Sequence, residues 1–161
     1  MSAKRTAKEP HHWLMKSEPD VFGILSLKAK KTSAWDGVRN YQARNFMREM
    51  AIGDRVLFYH SNAKPSGVAG LAEVCAVAHP DHTQFDPRSE YFDPKATPDN
   101  PRWFMVDVRY VATFAHTLAL DELRRIPGLE GMQLFTRPRL SVQAVEKRHY
   151  DLIVKLAGTP V

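Results

Sequence analysis

Arg55-Val56-Leu57-Phe58-Tyr59-His60 is followed by the loop Ser61–Gly67 and then by the run Val68–Val77. The first run sets Val, Leu, Phe and Tyr in succession, the loop carries Asn, Pro and Gly, and the second run is apolar again. Two such runs around a turn-forming segment predict a long β-hairpin. Ala69-Gly70 on the return arm offers little side chain, which leaves room there for another backbone or a ligand.

Toward the N-terminus, Trp13–Ser17 reads as a first, buried strand, and Glu18-Pro19-Asp20 turns the chain because Pro cannot donate to a ladder. Val21–Leu27 reads as a short helix or tight turn, and Lys28–Thr32 as a solvated connector. Asn40–Ala51 has helical spacing, with Ala43, Phe46, Met47 and Met50 on one face and Gly53 where a C-terminal cap would sit.

Toward the C-terminus, His79–Pro101 is long, polar and broken by prolines, the mark of a functional or disordered loop. Its aromatics Phe85, Tyr91 and Phe92 argue against disorder. Trp103–Val111 alternates, with Phe104, Val106, Val108 and Tyr110 on one side and Met105, Asp107 and Arg109 on the other. Leu118–Ile126 reads as a short helix ended by Pro127-Gly128, Leu134–Val142 as a returning strand, and Val145–Leu156 as a final amphipathic helix. Strands dominate the middle and βαβ alternation is missing, which argues against a doubly wound fold. The expected class is α+β: a small, mostly antiparallel β-barrel with peripheral helices.

A chain of 161 residues with 43% hydrophobic content is sized for one soluble domain, expected over residues 11–158 behind a loose basic tail at 1–10. The net charge of +5 favours a polyanionic partner. A single cysteine, Cys75, allows no intramolecular disulfide; its apolar setting reads as a small buried hydrophobe in a reducing compartment. The apolar runs fall short of the ~20 residues of a membrane span, and no secretory signal follows the N-terminal basic residues. The expectation is a cytoplasmic protein (on the nucleoid in a bacterium, in the nucleus in a eukaryote), a monomer with no membrane partner and no cofactor.

Chemistry concentrates in His12-Trp13-Leu14-Met15-Lys16-Ser17-Glu18-Pro19 and Trp35-Asp36-Gly37-Val38-Arg39-Asn40-Tyr41-Gln42-Ala43-Arg44-Asn45. Flat rings, a bidirectional amide and cations are the ingredients of a pocket for one planar base. Trp35, flanked by polar turn residues, is the candidate stacking wall; its alternative is ordinary core. Asn40 suits the Watson–Crick edge of a base or, equally, the N-cap of the helix that follows. Ser17 can bond a base carbonyl and Glu18 can accept from an exocyclic amine, or both can simply build the turn before Pro19. Tyr59, His60 and Ser61 stand at the mouth of the hairpin, where alternation turns one or two of them to the pocket. Phe85, Tyr91 or Phe92 can close it. Lys16, Arg39, Arg44, Arg48, Arg137 and Arg139 are candidate phosphate contacts, each against the alternative of a solvated charged face.

Catalytic patterns are weaker. Pro80 spoils His79-Pro80-Asp81-His82 as a helical metal pair, and no metal site is expected. No nucleophile elbow is present, and a zinc deaminase needs a cysteine pair that one cysteine cannot supply. Asp81, Asp86 and Asp93 could hold a divalent ion but read better as members of a solvated loop.

These residues resemble the EVE domain of the PUA-like superfold, and closely its thymocyte nuclear protein family. The resemblance rests on Trp13–Pro19 and Trp35–Asn45, on Phe58-Tyr59-His60-Ser61-Asn62, Gly67-Val68-Ala69-Gly70-Leu71 and Pro80-Asp81-His82-Thr83-Gln84-Phe85, and on Asp99-Asn100-Pro101, Met105-Val106-Asp107-Val108 and Leu134-Phe135-Thr136-Arg137. It spans about residues 12 to 157. It implies a β-barrel of five or six strands, similar to the YTH domain, and a non-enzymatic reader of modified bases, chiefly modified cytosine in DNA turned out into an aromatic pocket. On that reading Trp35, Asn40, Ser17, Glu18, Tyr59, His60, Ser61, Phe85 and Tyr91 form the base pocket, and Lys16, Arg39, Arg44 and Arg137 hold phosphate. The alternatives are an RNA-binding module for tRNA or rRNA, and an enzyme acting on a nucleotide-like small molecule.

Overall fold

The computed structural model describes residues 9–158, so residues 1–8 of the expected basic tail lie outside the described residues. Six strands form one sheet: β1 (His12–Ser17), β2 (Thr32–Ala34), β3 (Arg55–His60), β4 (Gly67–Pro80), β5 (Phe104–Ala119) and β6 (Val142–Val145). Their order is β2-β5-β4-β3-β1-β6. Every pair is antiparallel except β1 and β3, which run side by side with Ser17 level with His60.

The helices are α1 (Pro19–Phe22), α2 (Ile24–Lys30), α3 (Tyr41–Glu49), α4 (Leu120–Leu123), α5 (Gln133–Thr136) and α6 (Lys147–Ala157). They cover both faces of the sheet. One core gathers Trp13, Met15, Val56, Phe58, Val106 and Val108 under α2 and α3; the other gathers Leu14, Leu57, Tyr59, Leu71 and Phe114 under the later helices. Burial on two faces explains why β1 and β3 read as continuous apolar runs instead of alternating ones.

The expected closed barrel is corrected to an open sheet. Its edges are β2 and β6, of three and four residues, and no pairing joins them. The helix α3 packs against β4, β5 and β6. Register shifts along β4 and β5 mark bulges, which bend and twist the pair. The room at Gly70 is taken by backbone: a Cβ there would meet the Ala112 carbonyl and the Ile24 side chain.

Other boundaries also move. Lys28–Lys30 complete α2, and Thr32 opens a short strand instead of continuing a connector. The C-cap of α3 is Met50, not Gly53, whose N–H donates to the Val74 carbonyl of β4. Leu118 and Ala119 belong to β5, so α4 is a single turn. Leu134–Val142 is not a strand: Gln133–Thr136 is helical, and only Val142–Val145 pairs with β1. The buried Gln143 donates to the Arg137 and Leu140 carbonyls, 3.0 Å each, and so holds this stretch as a compact turn. Cys75 is half-buried, not core, and burial pushes its thiol pKa up.

Candidate functional site

The parallel alignment of β1 and β3 delivers two strand ends to one place. Beside them Trp35 leaves β2, anchored by its N–H to the Val106 carbonyl at 2.8 Å. Ser141, just before β6, accepts from the Lys16 N–H at 2.9 Å. A cleft of about 850 Å³ opens between these segments, α1 and the 82–91 loop. Lys16, Ser17, Glu18, Trp35, Arg39, Ser61 and Tyr91 line it, together with Phe22 and Gly37.

The floor is aromatic. Trp35 is 7% exposed and meets Phe58 edge to face, with ring centroids 5.4 Å apart. Phe22 lies 6.5 Å from Phe58, and the Lys30 ammonium stands 5.9 Å from the Phe22 centroid. Trp35 is thus both core and lining: most of the residue is packed, and the small exposed part bounds the cleft. Ser17 Oγ donates to the Phe22 carbonyl at 2.6 Å, which leaves its lone pairs as acceptors. Asn62 Nδ2 donates to Glu18 Oε1 at the rim, 3.4 Å away. Lys16 Nζ donates to the Pro138 carbonyl at 2.7 Å and lies 5.5 Å from the Tyr59 ring. Burial pushes the Lys16 pKa down.

The lip is held by polar groups that sequence reasoning missed. Asp81, expected in a solvated loop, has a fully buried side chain that accepts from the Gly37 N–H at 2.7 Å, the Thr83 N–H at 2.8 Å and Arg39 Nη1 at 3.2 Å. Burial alone would raise its pKa, but the hydrogen bonds from Thr83, Gly37 and Arg39 outweigh it and hold the carboxyl below the usual range. Arg39 directs every N–H inward: Nε and Nη2 to the Tyr91 carbonyl, Nη1 to Val38 O and Asp81, and Nη2 also to Thr83 Oγ1. Gly37 has φ +79°, and the Tyr91 ring fills the place its Cβ would take, 2.8 Å away. Asp36-Gly37 is a turn dipeptide, so this contact had a sequence signal.

The long loop behind the lip is ordered by Gln84. Its amide donates to the Asp81 and Trp103 carbonyls, 2.8 Å each, and accepts from the Arg102 and Trp103 N–H groups. Asp93 accepts from Trp103 Nε1 at 2.8 Å, so it too is engaged instead of solvated.

The other anticipated residues stand elsewhere. Asn40 caps α3, its Oδ1 accepting from the Ala43 N–H at 2.9 Å. His60 Nε2 accepts from the Ile24 N–H at 3.1 Å, and burial lowers its pKa. Tyr59 faces the opposite core, where burial raises its phenol pKa. Phe85 ends a 3₁₀ turn, and neither it nor Phe92 lines the cleft. Arg44 sits 4.8 Å from the Tyr41 ring and donates to the Arg102 carbonyl at 2.9 Å; Arg137 donates to Gln42 Oε1. Arg48 lies 4.8 Å from the Phe104 ring. His79 pairs with Asp107 at 3.0 Å. A separate hollow of about 510 Å³ lies by His12, Arg55 and Lys147, and none of the anticipated site residues lines it. No helix among the described residues is long and apolar enough to cross a membrane.

Comparison with known proteins agrees with this architecture. Human thymocyte nuclear protein 1 is 45% identical over 164 residues, which cover 90% of this chain and 73% of the relative. A hypothetical protein from Leishmania major superposes with a TM-score of 0.92 at 54% identity, over 94% of this chain and 97% of that one. The structure of human THYN1 protein in complex with 5-methylcytosine-containing DNA superposes with a TM-score of 0.88 at 44% identity, over 92% of this chain and 98% of that one. The EVE domain family matches residues 11–156, nearly all of the described fold, and the chain belongs to that family.

Proposed function

We propose that this protein is a non-enzymatic reader of a modified nucleobase, a modified cytosine in DNA, with the base turned out of the duplex and stacked on Trp35. The observation that carries the reading is the relative whose structure is described as a complex with 5-methylcytosine-containing DNA, at 44% identity over 98% of that chain. The cleft supports its finer part. A base inside a duplex cannot reach a recessed ring, so a cleft floored by Trp35 requires extrusion, which costs a few kcal/mol. Stacking on the ring contributes about 1–3 kcal/mol, and phosphate contacts by a chain of net charge +5 add to it. Ser17, Glu18 and Lys16 line the same cleft, which supports a base edge read by the first two and a backbone phosphate held by the third. In a eukaryote this reading places the protein in the nucleus.

Matched duplexes carrying cytosine, 5-methylcytosine or 5-hydroxymethylcytosine, titrated at two salt concentrations beside the corresponding RNA, test it. The expected result is a preference for a modified DNA duplex of about ten-fold or more that persists at the higher salt. Equal, salt-sensitive binding to all duplexes overturns it, and tighter binding of RNA moves the protein to an RNA partner.

A further inference from the structure

A second hollow, of about 360 Å³, lies on the far side of Lys16. Tyr59, Asn62 and Arg139 line it, and it shares Lys16, Ser61 and Ser141 with the cleft. Alternation along β3 creates this arrangement: Phe58 turns to the aromatic floor, Tyr59 to the opposite face, and Ser61 lies between the two openings. Lys16 is the partition. One of its three N–H groups goes to the Pro138 carbonyl, and no carboxylate among the described residues pairs with it. A half-buried ammonium without a counter-ion is favoured by an anion beside it. Arg139, exposed at the rim, forms no ion pair with a described residue either.

We infer that the second hollow receives the nucleotide adjacent to the read base on the same strand, with the phosphodiester between the two seated on Lys16. Successive nucleotides are always joined by one anionic phosphate, and the two hollows are joined at one cation. Leu120 and Pro138 line the hollow over the buried Tyr59 and give the neighbouring base an apolar wall, and Arg139 meets the next phosphate along. The protein therefore recognises a dinucleotide step and not an isolated base. This inference rests on the reading of the cleft as a base site.

The test uses the full chain and three ligands followed by amide chemical shifts: 5-methyl-dCMP, dinucleotides with 5-methyl-2′-deoxycytidine on either side of a second nucleotide that carries a further terminal phosphate, and the same dinucleotides with an abasic neighbour. One dinucleotide polarity is expected to bind about ten-fold more tightly than the mononucleotide, with shifts at Asn62 and Arg139 that the mononucleotide does not cause. Arg139→Glu is expected to remove most of that gain. A dinucleotide no tighter than a mononucleotide that does bind overturns the subsite while leaving the base site standing. A gain kept in full by the abasic ligand, or by Arg139→Glu, also overturns it. Failure of the mononucleotide and of every modified ligand to bind at all overturns the base site, and the subsite with it.

Discussion

Arg39 reaches past the cleft to the fully buried Asp81 carboxylate, 3.2 Å away, and its other N–H groups close on the Tyr91 carbonyl and Thr83. The guanidinium also lies 5.5 Å from the Tyr91 ring and 5.4 Å from the Trp103 ring. This cation is a clasp between the Trp35–Asn40 segment and the long loop. Its donors are already engaged, so what it can offer an anion at the lip is charge and not a free N–H.

Asp81→Ala takes the acceptor from the Gly37 and Thr83 N–H groups and the counter-charge from the clasp cation. The expected loss of stability is about 3–5 kcal/mol, the range for breaking one side of a buried pair, read from urea unfolding. The acid limb carries a second signature. The folded pKa of Asp81 lies below its ordinary value of 3.8, so its contribution is fully present above about pH 4 and is lost as pH falls through the folded value. Asp81→Asn should flatten the stability curve in that acid window and leave its shape above pH 5 unchanged.

Trp35 calls for two variants because it is both wall and core. Trp35→Ala should cost about 3–5 kcal/mol of stability through lost packing on Phe58, and abolish discrimination between modified and plain duplexes. Trp35→Phe keeps an aromatic face with a smaller stability loss, and should retain a weakened preference. A Phe variant that folds yet discriminates as well as the parent would show that the indole face is not the stacking surface.

Asn40 is assigned to the helix. Asn40→Ala is expected to cost about 1 kcal/mol of stability, and Asn40→Ser, which still accepts from the Ala43 N–H, much less. Both should bind modified duplex like the parent. A Ser variant that is stable but loses discrimination would return Asn40 to the base edge.

Three histidines set the response near neutrality. His12, His60 and His149 all have lowered pKa values, with burial the first cause in each. The unfolded chain therefore binds protons that the folded chain refuses. Their contribution to stability is complete above about pH 6.5 and declines as pH falls below it. The urea midpoint should be lower at pH 5 than at pH 7.5. His60→Gln, which supplies a neutral acceptor for the Ile24 N–H, should shrink that difference.

Much of the fold could be read because burial writes itself into composition. Arg55–His60 appears as a strand with its full bounds since both faces are packed, and Asn40 with the Ala43–Met47 face announces α3. β2 could not be read: three residues carry no period. Leu134 and Leu140 look like strand residues because they are buried, but they are buried from a turn that Gln143 ties together. In the site, Lys16, Ser17, Trp35 and Ser61 meet because they sit at strand ends or next to them. Tyr59 and His60 belong to the same sequence run, yet alternation and a buried N–H send them elsewhere. Asp81, Gln84 and Trp103 are bound by polar contacts between distant residues, which no periodicity reports.

β1 lies between β3 and β6, with His12 opposite Arg55 on one side and Val145 on the other. Of the six strands, the one that carries Lys16 and Ser17 is synthesised first and its second neighbour last. Until residue 145 clears the ribosome, β1 has an open edge and the cleft lacks Ser141. Contacts so far apart in sequence close slowly, which exposes that edge to other chains in the interval. A fragment ending before β6 would carry every cleft-lining residue and leave the strand that bears Lys16 and Ser17 with one side unpaired.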